Sequence, residues 1–228
     1  MKILALEFSS PQRSVAVLHP PAKAGIGREQ PASPSEVVQT GEHSTRMLGM
    51  IETALRQAQL EREQIDCLAI GLGPGSYNGI RAAIALAQGW ELASPPNRLK
   101  LLGISSVECL AAQAQADGLR GRMAVVIDAQ RNELYLAEYE IDAKRWAQTT
   151  PLRLATIAEA LKRQNAGAQL IGPEVTKWFP GSRVLFPRAA TLAQLADQRT
   201  DFISAENLEP IYLRETTFVK APPPRWGV

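Results

Sequence analysis

A glycine-rich stretch between residues 71 and 81, GLGPGSYNGIR, carries residue types that could meet a phosphate or the backbone of a partner. Glycine lets the backbone take a positive φ and lets a neighbouring group approach closely. Serine or asparagine can cap the helix that follows, and the free N–H groups of a helix N-terminus attract anions. Because no phosphate-binding lysine follows, the motif alone favours a tight strand-to-helix turn over a phosphate loop. The residues of interest in it are Gly73, Pro74, Gly75, Ser76, Gly79 and Arg81. A cation at a helix start opposes the helix dipole, so Arg81 is expected to brace the loop or to reach an interface carboxylate.

The sequence offers few other side chains for catalysis or metal binding. Its two histidines are His19 and His43, so a histidine-based metal site or a Ser-His-Asp triad is excluded from the second half. A catalytic role for His43 would need an acid within reach, and a structural or interface role is favoured. Glu7 could face magnesium or could end the first strand, and the second interpretation is favoured. Asp128 and Arg131 could be an acid and a base across a turn, or turn residues that form a surface ion pair, and the second interpretation is favoured. We therefore predict no catalytic residue and no metal ligand.

Composition and charge set the class of protein. The 228 residues are 45% hydrophobic and 21% charged, which fits one globular domain or two small lobes. The net charge of +2 gives no strong attraction to nucleic acid. Cys67 and Cys109 lie in apolar surroundings and are expected to be buried thiols of a reducing compartment. The apolar start is too short for a signal peptide, and no window approaches a membrane span, so the cytoplasm is the expected location.

The hydrophobic pattern predicts the elements that must position the glycine-rich stretch. In the first half it predicts strands over 2–8, 13–18, 36–42, 66–71 and 100–104, and helices over 45–57, 80–92 and 107–117. In the second half it predicts strands over 123–127, 133–141, 148–152, 168–171 and 184–186, and helices over 156–164, 172–179 and 189–198. Alternation within 134–139 suggests a hairpin with one buried face. Segments 20–35 and 221–225 are predicted to be loops.

Hairpins followed by alternating strands and helices occur twice along the chain, which predicts a two-lobed α/β protein with mixed sheets. We expect an N-terminal lobe over 1–104, which contains the glycine-rich loop. We expect a C-terminal lobe over 105–228, whose last helix or tail packs back on the first lobe.

Four motifs resemble those of a known family in the same order along the chain. They are KILALE at 2–7, GPGSYNGIR at 73–81, IDAQRNELY at 127–135 and PIYLR at 210–214. The chain is similar through them to the TsaB (YeaZ-type) family, subunits of the bacterial tRNA threonylcarbamoyladenosine machinery. The resemblance implies an actin-like, sugar-kinase-like (ASKHA) fold. This sequence departs from the family at Glu7, where an aspartate is usual, and at Tyr77-Asn78, where Phe-Thr is usual.

The resemblance also implies a function. It implies a non-catalytic accessory subunit that binds and activates the catalytic threonylcarbamoyl-transferase (TsaD-type) subunit, which modifies adenosine 37 of ANN-decoding tRNAs. A TsaE-type ATPase would join the assembly, tRNA would be contacted indirectly, and no membrane would be involved. No cofactor is implied, although weak nucleotide binding stays open. The alternatives are an ATP-dependent small kinase or phosphohydrolase of the same fold and, less favoured, a peptidase.

The same resemblance makes the helices over 45–57 and 80–92 the candidate partner interface, as half of a four-helix bundle. A homodimer through the same helices is expected when the partner is absent. The interface residues predicted on them are Met47, Met50, Ile51, Ala54, Ile80, Ala83 and Ala87. Ala83→Glu or Ala87→Glu is then expected to block partner binding and to leave the fold intact. The alternative is that both apolar stripes only serve the core of the chain.

Overall fold

A computed structural model describes residues 1–20, 34–41 and 46–214. Three expectations fall partly or wholly outside these residues. They concern the loop over 20–35, the helix start at 42–45 with His43, and the tail beyond 214.

The first five strands form one mixed sheet. They are β1 (Ile3–Glu7), β2 (Gln12–Leu18), β3 (Ser35–Thr40), β4 (Cys67–Gly71) and β5 (Lys100–Ile104), in the order β3-β2-β1-β4-β5. The β1–β2 and β2–β3 pairs are antiparallel, whereas β1, β4 and β5 run parallel. Because the three parallel strands end at the same edge, the segments that follow β1, β4 and β5 meet there. The glycine-rich stretch is the segment after β4.

Helices cover both faces of this first sheet. Helices α1 (Met47–Gln57) and α2 (Tyr77–Ala93) pack on one face, against side chains that include Leu4 and Leu6. Helix α5 (Ala189–Asp197), although late in the chain, packs on the opposite face against Ile3 and Ala5. Successive side chains of a strand point to opposite faces. All five residues of β1 are therefore buried.

The second half builds another five-stranded mixed sheet. Its strands are β6 (Gly121–Asp128), β7 (Glu133–Ile141), β8 (Trp146–Thr156), β9 (Gln169–Gly172) and β10 (Arg183–Val184), in the order β10-β9-β6-β7-β8. Helices α3 (Ser106–Ala116) and α4 (Ile157–Asn165) lie on its two faces. Both faces of β7 are consequently buried, with Tyr135 on the α3 side and Leu134 on the α4 side. The prediction of one buried face was wrong, because alternation alone does not show that a helix covers the second face.

Two predicted helices differ from the structure by more than two residues. The helix predicted over 172–179 is only a single 3₁₀ turn, Val175–Lys177. Helix α2 begins at Tyr77, three residues earlier than predicted, because Ser76 caps it by accepting a hydrogen bond from the Gly79 N–H. Both cysteines are buried, as predicted. No helix within the described ranges is long and apolar enough to cross a membrane.

Candidate functional site

The glycine-rich loop joins β4 to α2 and is tied to the start of α3. The Gly73 N–H donates to the Ser106 hydroxyl oxygen at 3.2 Å, and the Ser106 N–H donates to the Gly73 carbonyl at 2.9 Å. On its other side the Ser76 N–H donates to the Ser9 carbonyl at 2.6 Å, in the turn between β1 and β2. The loop is thus held between the segments that follow β1 and β5.

The glycines of this loop are required by contacts within the chain. A Cβ at Gly79 would lie 2.1 Å from the Phe8 carbonyl oxygen, and a Cβ at Gly75 would lie 2.0 Å from the Ser9 carbonyl oxygen. Gly75 also has a φ of 146°, a region that side-chain-bearing residues rarely adopt. The close approach that the sequence indicated is therefore made by the protein's own β1–β2 turn.

Glu7 is buried at the centre of this arrangement. Its carboxylate accepts hydrogen bonds from the Ser9 N–H at 2.8 Å and from the Ser106 hydroxyl at 2.9 Å. Desolvation raises the pKa of the Glu7 carboxyl, although the hydrogen bonds from Ser9 and Ser106 lower it in part. A Cβ at Gly71 would lie 2.2 Å from this carboxylate. Because both carboxylate oxygens are engaged inside the core, Glu7 ties β1 to α3.

A cleft between the two sheets has a volume of about 420 Å³. Its lining includes Arg13 from β2, Tyr77 from α2, and Asp128 and Glu174 from the second half. The sequence suggested an ion pair between Asp128 and Arg131, and this prediction was wrong. The Asp128 carboxylate instead lies 3.1 Å from the Lys177 ammonium. Desolvation, and to a smaller extent the charge of Asp128, raises the pKa of Glu174.

The cleft is the candidate site for the weak nucleotide binding that the resemblance left open. Its lining offers the Arg13 guanidinium as a cation, whose Nε has no hydrogen-bond partner among the described residues. The lining also contains the carboxylates of Asp128 and Glu174. These carboxylates could bind magnesium beside a nucleotide, and without magnesium they would repel its phosphates. Across residues 1–20, 34–41 and 46–214, no group of three or more His, Cys, Asp or Glu side chains could hold a metal ion. Weak nucleotide binding therefore stays a prediction.

The partner-interface residues predicted from the sequence need correction. Met50, Ile51, Ala54, Ile80, Ala83 and Ala87 are buried in the core between the two helices and the first sheet, and Met47 is half-buried beside them. These side chains cover the α1–α2 face of the sheet, and of the set only Ile51 also lines the outward groove. Glutamate at Ala83 or Ala87 would place a carboxylate in this core, so neither variant is now expected to leave the fold intact.

The outward faces of the same helices form a groove, and of its lining residues the sequence-based prediction named only Ile51. The α1–α2 groove has a volume of about 570 Å³ and is lined by Leu48, Ile51, Glu52, Leu55, Arg56, Leu60, Glu61, Arg62, Leu86, Gly89 and Trp90. Leu48, which lines the groove, is 66% exposed. A Cβ at Gly89 would meet no atom within 4 Å, so this part of α2 is flat and open.

Arg81 does not reach a carboxylate among the described residues. Its guanidinium donates to the Tyr77 hydroxyl and lies 5.0 Å from the centroid of the Tyr77 ring. The Tyr77 ring stacks in turn on Tyr212, with centroids 5.3 Å apart and an interplanar angle of 28°. Tyr212 belongs to the PIYLR motif, but only the fold brings it to the glycine-rich loop.

Comparison with known proteins shows which family the chain resembles. The chain is similar to the tRNA threonylcarbamoyladenosine biosynthesis protein TsaB of Haemophilus influenzae, at 29% identity over 97% of this chain and 98% of that protein. It is similar to TsaB of Escherichia coli at 29% identity over 80% of this chain and 85% of that protein. The family model described as TsaD, tRNA N6-adenosine threonylcarbamoyltransferase, matches residues 35–205. The chain belongs to this family, as a TsaB (YeaZ-type) member.

A solved structure supports the same assignment. YeaZ from Pseudomonas aeruginosa superimposes with a TM-score of 0.74 at 26% identity, and the match covers 93% of this chain and 99% of that one. The predicted two-lobed actin-like fold with mixed sheets is thereby confirmed. The family that the four sequence motifs indicated is confirmed as well.

Proposed function

We propose that this chain is a non-catalytic accessory subunit for threonylcarbamoylation of adenosine 37 in ANN-decoding tRNAs. It binds a TsaD-type transferase subunit through the α1–α2 groove and thereby activates it. The relatives support the pathway, since their names place them in tRNA threonylcarbamoyladenosine biosynthesis. The observation that carries the proposal for this chain is the exposed apolar groove on two packed helices.

The energetics of the groove favour association with helices of a partner. Burial of a leucine side chain stabilises a complex by about 1.5–3 kcal/mol, and Leu48 of the groove is largely exposed in the free chain. Gly89, an exposed small residue of α2 that lines the groove, lets another helix approach the α2 backbone closely. Exposed apolar patches of this kind mark interaction sites.

The rim of the groove supplies specificity. Glu52, Arg56, Glu61 and Arg62 surround the apolar floor and present charges of both signs. Complementary charges at a rim favour one partner over others and fix the register of the complex. A second copy of this chain can dock through the same groove with two-fold symmetry when the transferase is absent. A TsaE-type ATPase would then act on the assembled pair.

The non-catalytic role is supported by the environment of Glu7. This carboxylate stands where related kinases hold magnesium, according to the family resemblance. Here it is buried, and both of its oxygens accept hydrogen bonds from Ser9 and Ser106. It therefore serves the packing of the loop. A kinase or phosphohydrolase activity would instead need magnesium-dependent nucleotide binding in the cleft.

Reconstitution of the reaction tests the proposal. The transferase subunit, the ATPase, the adenylate-forming enzyme and tRNA are combined with and without this chain, and the modified adenosine is quantified by mass spectrometry. We expect modification to depend on the chain. Equal product without it would refute the accessory role.

A pair of variants tests the groove. Gly89→Arg fills open space on α2 and should abolish both association with the transferase and the stimulation of modification. Ala147→Arg, an exposed position on β8 in the second half, should behave as the wild type. Association is measured by analytical ultracentrifugation. Full association of Gly89→Arg would reject the groove as the interface.

A further inference from the structure

An aromatic platform lies beside the glycine-rich loop and outside the α1–α2 groove. We infer that Tyr77, Tyr212 and Arg81, here called the tyrosine platform, bind an unpaired base of the RNA substrate and its adjacent phosphate. The inference rests on the proposed function, because it names the substrate contact that the accessory subunit would make. It also goes beyond the sequence-based expectation of indirect tRNA contact, which left a direct contact open.

The platform is exposed and yet held in place. Tyr77 is 51% exposed and Tyr212 is 40% exposed, although the two rings stack on each other. Stacking of an unpaired base on an aromatic side chain contributes about 1–3 kcal/mol per base and tolerates any base. Two large aromatic side chains facing solvent together are a favourable surface for such a base.

Anchors on both sides fix Tyr212 before any ligand arrives. On one side the Ile211 N–H donates to the Leu72 carbonyl at 2.9 Å, next to the glycine-rich loop. On the other side the Arg214 guanidinium donates to the Ala129 carbonyl at 3.0 Å, in the β6–β7 turn of the second sheet. Because the backbone around Tyr212 is already ordered, a ligand need not offset the entropy of ordering it.

A hollow of about 400 Å³ adjoins the rings and suits a base. Its lining consists of Tyr77, Arg81, Ile84, Ala85, Gln88, Pro210 and Tyr212. The Gln88 side-chain N–H donates to the Ala205 carbonyl at 3.1 Å, which fixes the amide and leaves its oxygen to accept from a base N–H. Arg81 is the only charged residue of the lining, and it pairs with no carboxylate in the described part of the chain. Its charge is therefore complementary to a phosphate.

The position of the platform favours RNA over a protein partner. Tyr77, Arg81 and Gln88 follow helical spacing on one side of α2, whereas Leu86 and Trp90 line the groove on another side. The groove and the hollow share no lining residue, so a transferase docked in the groove need not cover the platform. An unpaired nucleotide of an RNA presents a base to the two rings and a phosphate to Arg81 within one ligand.

Fluorescence anisotropy with a labelled RNA hairpin tests the inference, on the chain alone and on its complex with the transferase. We expect the hairpin to bind more tightly than a fully paired duplex of matched length. Tyr77→Ala and Tyr212→Ala should each weaken hairpin binding about tenfold. Tyr212→Phe keeps the stacking surface and should bind as the wild type. Arg81→Gln should reduce the salt dependence of binding by about one released ion. Circular dichroism checks that each variant is folded.

Several outcomes would overturn the inference. These are no hairpin binding by the chain or its complex, equal binding of the duplex, and unchanged binding by both alanine variants. Displacement of the hairpin by AMP at low concentration would assign the platform to a free nucleotide instead. Loss of transferase association in Tyr77→Ala would assign it to the protein interface.

The groove variant separates this inference from the proposed function. Gly89→Arg should lose the transferase and still bind the hairpin through the platform. If the chain binds the hairpin through its tyrosines but does not stimulate modification, the accessory role fails and the platform stands. If modification depends on the chain but the alanine variants bind RNA normally, the platform alone fails.

Discussion

Gly79→Ala should destabilise the chain, although alanine is the better helix former. In an open helical position this substitution stabilises a protein by about 1 kcal/mol. At Gly79, however, the new Cβ would lie 2.1 Å from the Phe8 carbonyl oxygen, and ordinary contact begins at 3.4 Å. The obstacle is backbone at the end of β1, so either α2 or the β1–β2 turn must move by more than an ångström.

The expected magnitude follows from these opposing effects. Overpacking that shifts backbone costs about 1–3 kcal/mol or more, so a net loss of about 2 kcal/mol is expected after the gain in helix propensity. For a chain of this size, that loss lowers Tm by about 4–8 °C. Gly89→Ala is the matched control on the same helix. Its Cβ meets nothing within 4 Å, so its Tm should rise by about 2–4 °C.

Thermal unfolding followed by circular dichroism at a helix band measures both variants under one condition. Opposite signs for the same substitution would attribute the difference to the Phe8 contact. A Gly79→Ala variant as stable as the wild type would refute the conclusion that this glycine is required for close packing of the loop. A destabilised Gly89→Ala variant would refute the conclusion that the outward face of α2 is open in the free chain.

Three further predictions concern other parts of the molecule. Burial raises the pKa of Glu7, so its contribution to stability is present below its ordinary pKa and is lost as the pH rises through the folded-state value. Tm of the wild type should therefore decline as the pH rises, and Glu7→Gln should remove this decline. Equal slopes of Tm against pH in the two proteins would show that Glu7 is not its origin. Ala87→Glu should lower Tm sharply or prevent folding, because Ala87 is fully buried. A folded variant with the Tm of the wild type would show that Ala87 tolerates a charge and could face a partner. Arg214→Ala should speed hydrogen exchange around the β6–β7 turn, because Arg214 holds the Ala129 carbonyl and Glu133. Arg145→Ala, at an exposed ion pair, should not.

Local pattern predicted much of the fold. The predicted bounds of β5 and β7 agree with the structure. The apolar run of β5 and the alternating run of β7 are each bounded by turn residues, which mark where the strand ends. The order of the four motifs was enough to identify the family and its fold. The sequence also indicated that the glycines permit a close approach. It could not indicate that the approaching groups are the Phe8 and Ser9 carbonyls.

The sequence did not separate buried from exposed positions on the predicted interface helices, for a physical reason. Helix α2 is rich in alanine on every side, so its periodicity does not distinguish the stripe that meets the sheet from the stripe that meets solvent. Ala83 and Ala87 were assigned to a partner, yet they are buried, whereas Ala85 and Gly89 are exposed. The register of α2 on the first sheet decides between them, and that register depends on contacts with strands distant in the chain.

The sequence by itself determined the class of fold, the family and the loop that joins β4 to α2, because these depend on local composition and on motif order. Tertiary structure alone decided which groups meet. It joined Glu7 to Ser106, 99 residues away, and stacked Tyr77 on Tyr212. Long-range contacts of this kind arise from strand order and from helix packing, and no local pattern encodes either.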